Sequence, residues 1–112
     1  MADIGAAYAT LPNFWATWDF GGQGGTFRQT GGKNCTVTNP GTGLYQFVLG
    51  QGGLAQPYEV EVQVGGASAG NLSYMTGLAD DSNTQKTLST ARGNNVLTDV
   101  DHGYIGFRRL AQ

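Results

Sequence analysis

Apolar and polar residues alternate with a period of two along much of this 112-residue chain. That spacing belongs to strands that turn one face to a core and the other to water. Phe14, Ala16, Trp18 and Phe20 share one face of a first strand over 14–20, which a glycine loop at 21–25 ends. A short strand over 26–30 stops at Gly31-Gly32, and a β-rich run follows over 34–38. Asn39-Pro-Gly-Thr-Gly43 reads as a turn, because proline presets φ and glycine supplies positive φ. The return strand over 44–49 puts Tyr45, Phe47 and Leu49 on one face and Leu44, Gln46 and Val48 on the other. After a second glycine loop at 50–56, Tyr58, Val60, Val62 and Val64 alternate with Glu59, Glu61 and Gln63. A strand with one wet face favours an antiparallel sheet, since parallel sheets bury both faces.

Further strands are predicted over 71–76 and 85–91, separated by a turn at Asp80-Asp-Ser-Asn83. A turn at 92–95 and a connector at 96–99 lead to the last strand, 103–109. Its side chains must pair with strands made much earlier, so the fold closes on its own end. About eight short strands spaced by glycine turns, with no helix, predict an all-β antiparallel β-sandwich or jelly roll. The organisation is an N-terminal arm over 1–13, broken by Leu11-Pro12, and one sandwich domain over 14–112.

Composition narrows the role. Twelve aromatic residues (five Tyr, five Phe and two Trp) must supply much of the core. Only 12 % of the chain is charged, roughly half the share usual in soluble domains. Free monomers ordinarily carry charge on their surfaces, so this chain is expected to pack against copies of itself or a partner. The net charge is −2, and Arg108-Arg109 is the one basic cluster. A nucleic-acid partner would need a basic stripe. No apolar run approaches the ~20 residues that span a bilayer. Residues 1–11 have neither the basic start nor the sustained apolar run of a secretion signal. The Asn34-Cys-Thr and Asn71-Leu-Ser sites are therefore expected to be chance matches to the glycosylation motif. The single cysteine, Cys35, sits among Thr and Val and reads as a small buried hydrophobe.

Chemistry-bearing motifs are sparse. The glycine loops lack the following helix start that a phosphate cradle requires. His102 stands alone, with Asp99 and Asp101 as the carboxylates of a conceivable dyad but no nucleophile to serve. Asp80-Asp81-Ser82-Asn83 offers oxygens to a cation without the rest of a calcium loop. Glu59 and Glu61 lie about 7 Å apart on one strand face, which reads as solubility rather than acid–base work. Trp15 and Trp18 fall on opposite faces, so one can fill the core while the other meets a partner or a sugar. No catalytic set, cofactor or metal is expected.

Three segments in this order, Gly41-Thr-Gly-Leu-Tyr-Gln-Phe-Val-Leu49, the alternating 58–64 strand and the terminal Asp101-His-Gly-Tyr-Ile-Gly-Phe-Arg108, resemble the small jelly-roll modules of tailed-phage virions. Those modules are similar in form to tumour-necrosis-factor-like trimers. The resemblance implies a non-enzymatic decoration (cement) protein, a homotrimer on the capsid surface that binds the major capsid protein or another virion protein. It further implies that Tyr104 and Phe107 lie near the threefold axis, with Trp15 and Trp18 as further interface candidates. The short arm would lie on the capsid or on a neighbour. The other reading it allows is a tail-fibre or receptor-binding head that holds glycans through Trp15 or loop tyrosines.

Overall fold

The computed structural model describes residues 13–21, 25–65, 74–92 and 96–109. It is an antiparallel β-sandwich of two four-stranded sheets. The strands are β1 (Phe14–Asp19), β2 (Arg28–Lys33), β3 (Cys35–Gly41), β4 (Leu44–Leu49), β5 (Tyr58–Gly65), β6 (Met75–Asp80), β7 (Gln85–Ala91) and β8 (His102–Arg109). Sheet A runs β2-β1-β8-β5 and sheet B runs β3-β4-β7-β6. The hairpins β1–β2, β3–β4 and β6–β7 stay within a sheet, and every other connection crosses between sheets. First and last strands are neighbours, as the closing terminal strand required: Phe14 pairs with Phe107, Ala16 with Ile105 and Trp18 with Gly103.

Alternation sets the core. Phe14, Ala16 and Trp18 on β1, Tyr45, Phe47 and Leu49 on β4, and Ile105 and Phe107 on β8 are all buried. Rings from opposite sheets meet there: Trp18 lies 5.1 Å from Tyr45 and 5.5 Å from Phe47, and Phe47 lies 6.1 Å from Phe107. Such pairs add about 0.5–1.5 kcal/mol each beyond the area they bury. Gly103 is needed for this packing, because a Cβ there would stand 2.2 Å from the Trp18 ring. Cys35 is buried as expected, and burial pushes its thiol up to about 12.

Three strands differ from the sequence reading by more than one residue. β2 spans Arg28–Lys33 rather than 26–30, so Gly31 and Gly32 lie inside the strand. Pairing to β1 overrides their weak strand preference, and the Trp15 ring packs beside Gly31. β3 continues through Pro40 to Gly41 with a register shift after Thr38, which leaves Thr42-Gly43 as the turn. Proline is tolerated because β3 is an edge strand. Gly43 takes φ +71°, and a Cβ there would stand 2.7 Å from the Thr90 carbonyl oxygen. β6 runs over Met75–Asp80, later than the predicted 71–76, of which 71–73 lie outside the described residues. Residues 1–12 of the predicted arm also lie outside them, and the Gln56–Pro57 peptide is cis.

Side chains stitch the corners where ladder bonds stop. Between β2 and β3 the Gln29 amide donates to the carbonyls of Gly31 and Cys35 and accepts from the Val37 N–H, all at 3.0 Å. Asp99 anchors the β7–β8 connection. Its Oδ1 accepts from the Gly43 N–H at 2.7 Å and from Asn39 and Tyr45 at 3.3 Å. The Tyr45 hydroxyl in turn accepts from the Val100 N–H at 2.9 Å.

Candidate functional site

The sandwich presents two outer faces of contrasting chemistry. On sheet B, cross-strand register lines up Thr38, Gln46, Thr87 and Ala79 in one row and Thr36, Val48 and Gln85 in the next. None of these residues is charged, and Val48 and Met75 are 47 % and 45 % exposed. The strands of sheet B carry two charges in all, Asp80 and Lys86, and these neutralise one another. At the rim, the Asp81 carboxylate accepts from the Thr87 hydroxyl and the Gln85 amide.

Lys86 lies in the predicted 85–91 strand, where no site residue was expected. Its side chain is fully buried and forms an ion pair with Asp80. The ammonium also donates to the carbonyls of Leu54 at 2.9 Å and Ser82 at 2.6 Å, and it lies 5.0 Å from the centre of the Tyr58 ring. Asp80 accepts in addition from the Tyr58 hydroxyl at 2.7 Å and the Gln56 amide at 3.2 Å. The Lys86 ammonium, followed by the Tyr58 hydroxyl, holds the Asp80 carboxyl below its ordinary pKa. Burial, followed by the neighbouring Asp80, pushes the Tyr58 phenol up. This network ties the loop after β4 to the β6–β7 hairpin. The signal was present in the sequence: Lys86 has the same strand parity as Leu88 and Thr90, which are buried.

The two carboxylates of the Asp80-to-Asn83 run are therefore engaged by the protein's own donors. Among the described residues no group of three or more His, Cys, Asp or Glu side chains converges as a metal site would. His102 Nδ1 lies 3.3 Å from Asp101, whereas Asp99 faces the β3–β4 turn. The two terminal arginines do not act as a patch: Arg108 is buried 3.3 Å from Glu61, and Arg109 is exposed.

Sheet A's outer face holds most of the remaining strand charge, including the Asp19–Arg28 pair at 2.6 Å, Lys33, Glu59 and Glu61. The four interface candidates divide between its two sides. Trp15 and Tyr104 stand on the outer face and are half-buried. Trp18 and Phe107 are 1 % and 0 % exposed and belong to the core, so neither can meet a partner or line a threefold axis. The reason is the period-two alternation itself: Phe107 shares the face of Ile105, and Trp18 that of Ala16.

A trough of about 390 Å³ opens on this outer face. Tyr104 and His102 on β8 lie along it, with Thr17 and Asp19 on β1, Thr30 on β2 and Gln63 on β5 around them. Trp15, two residues before Thr17 on the same strand face, is not part of its lining. No family model matches this chain, and no curated protein or solved structure matches it.

Proposed function

We propose that this chain is a non-enzymatic structural protein of a virion, a decoration protein that sits on the capsid as a homotrimer. The observation that carries the reading is the charge-free outer face of sheet B, four strands wide. Interface cores are depleted of charged residues relative to the rest of a protein surface. Desolvating an unpaired ion costs several kcal/mol, and the strand residues of this face include none; the carboxylate at its rim, Asp81, is held by Thr87 and Gln85. Its Thr, Ser and Gln side chains keep the face wetted before assembly, which a sheet of Leu and Phe would not. The occupant that fits is a second copy of the same chain, because a neutral face matches a neutral face. Sheet A's charged side then points away from the axis.

Attachment to the shell is assigned to the arm, residues 1–12, and three copies give three attachment points whose avidity exceeds that of one. A protein that binds only the assembled shell stabilises it by mass action. Deleting residues 1–12 is expected to release the protein from particles on a density gradient while its solution mass stays that of the full trimer, less the deleted residues. Normal decoration by the deleted form would refute the attachment role.

A further inference from the structure

We propose that the trough on the outer face of sheet A is a binding site for a neutral sugar, one or two hexose units in size. The site is independent of the assembly role, since it lies on the side of the sandwich opposite the charge-free face. Its volume, about 390 Å³, falls in the range of roughly 300–1,000 Å³ typical of small-ligand sites. Trp18, Val64 and Gly103 line its floor with backbone, because β1, β5 and β8 turn these positions toward the core.

The polar groups around that floor are arranged to receive a ligand. The Thr30 hydroxyl donates to the Thr17 oxygen at 2.8 Å. The Thr17 O–H is thereby left to donate elsewhere. Across the trough, neither the Gln63 amide nor the Tyr104 hydroxyl has a hydrogen-bond partner among the described residues, although the two residues pair directly in the β5–β8 ladder. Thr17 pairs with Tyr104 on the other side. The Thr17 O–H, the Gln63 amide and the Tyr104 hydroxyl therefore stand on three adjacent strands, whose ladders fix their backbone positions before any ligand arrives. Between them they offer donors and acceptors, and Tyr104 adds a ring beside them.

Charge decides the class of ligand. Asp19 is occupied by Arg28 at 2.6 Å and by the Gly21 N–H at 3.0 Å. His102 is occupied by Asp101 at 3.3 Å. No Lys or Arg lines the trough to hold an anionic ligand, which would meet the Asp19 carboxylate instead, and a hydrocarbon would strip water from Thr17, Gln63 and Tyr104 without replacing it. A neutral ring bearing vicinal hydroxyls satisfies the donors and acceptors together, and its C–H face suits an aromatic ring.

The test is saturation-transfer NMR on the whole protein with methyl glycosides of glucose, galactose, mannose and N-acetylglucosamine, and with their disaccharides, at about 10 mM, well above the millimolar affinity expected of such a small ligand. Transfer to at least one neutral sugar is expected. Thr17→Val and Gln63→Ala should each weaken that binding about tenfold, the loss of one good hydrogen bond, with the melting temperature unchanged. Glucuronic acid and glucose 6-phosphate should bind more weakly than glucose. No transfer to any neutral sugar would overturn the proposal. So would binding that survives the Thr17→Val/Gln63→Ala double variant, or a preference for the charged sugars.

Discussion

A chain cut after Gly103 is expected to stay unfolded. β8 is an inner strand of sheet A, paired to β1 from Phe14 to Asp19 and to β5 from Tyr58 to Gly65. The cut removes Ile105 and Phe107, both with no exposed surface, and leaves β5 with no neighbour in its sheet. Burying one large apolar side chain contributes about 1.5–3 kcal/mol. Whole domains are stable by only about 5–15 kcal/mol. Two such side chains and two ladders together exceed what the remaining six-stranded arrangement of paired elements can lose. The expected result is loss of cooperative thermal unfolding and of near-ultraviolet circular dichroism from the Trp18 cluster. A truncated chain that melts cooperatively would show that β8 is dispensable.

The second large effect centres on Lys86. Its ammonium is buried, so its partners matter more than those of a surface lysine. Lys86→Met is expected to cost about 1–3 kcal/mol, the penalty for the buried Leu54 carbonyl losing its donor. Asp80→Asn should also lower the melting temperature, because a buried cation then loses its counter-ion. The double variant Asp80→Asn/Lys86→Met should be less unstable than the two losses summed, since the pair acts as a unit. The acid limb has a definite sign. The Asp80 carboxyl is held below 3.8, its ordinary value, chiefly by Lys86. Its stabilising contribution is complete above that value and is lost as pH falls through the lowered one. Asp80→Asn should therefore flatten the fall in melting temperature below about pH 4. An unchanged acid limb would show that the ion pair does not contribute.

Much of the sandwich was legible because alternation is a local signal. β1, β4 and β5 could be read residue by residue, with Tyr45 and Phe47 on one face of β4 and Glu59 and Glu61 on the outer face of β5, whereas β7 was legible only as a span. β2 and β6 were less legible because their glycines, Gly31, Gly32 and Gly77, have no side chain to carry the period. What places those glycines in strands is their cross-strand partners, Thr17, Ala16 and Ser89. Lys86 shares the inward parity of Leu88 and Thr90, but a lysine in a polar strand carries no core signal by residue type. Phe107 was set beside Tyr104 as an axis residue although three positions along a strand reverse the face. The trough could not be read from the sequence at all. Thr17, Gln63 and Tyr104 converge only through the β1–β8 and β5–β8 registers, and those registers are long-range.

The β3–β4, β4–β7 and β6–β7 registers in turn line up the uncharged rows of sheet B, where the low overall charge becomes a property of one face. Gln46 lies in the middle of that face, with Thr38 and Thr87 on either side. As a partly exposed outer-face position, its replacement by lysine should change the stability of a single chain by no more than about 0.5 kcal/mol. Within an assembled face it would place three cations in a desolvated contact. The most direct measurement is solution mass by light scattering, for the natural chain and for Gln46→Lys. The account predicts three times the 11.8 kDa of one chain for the former and a folded monomer for the latter. A natural chain that remains monomeric at high concentration, or a Gln46→Lys trimer of undiminished stability, would contradict it.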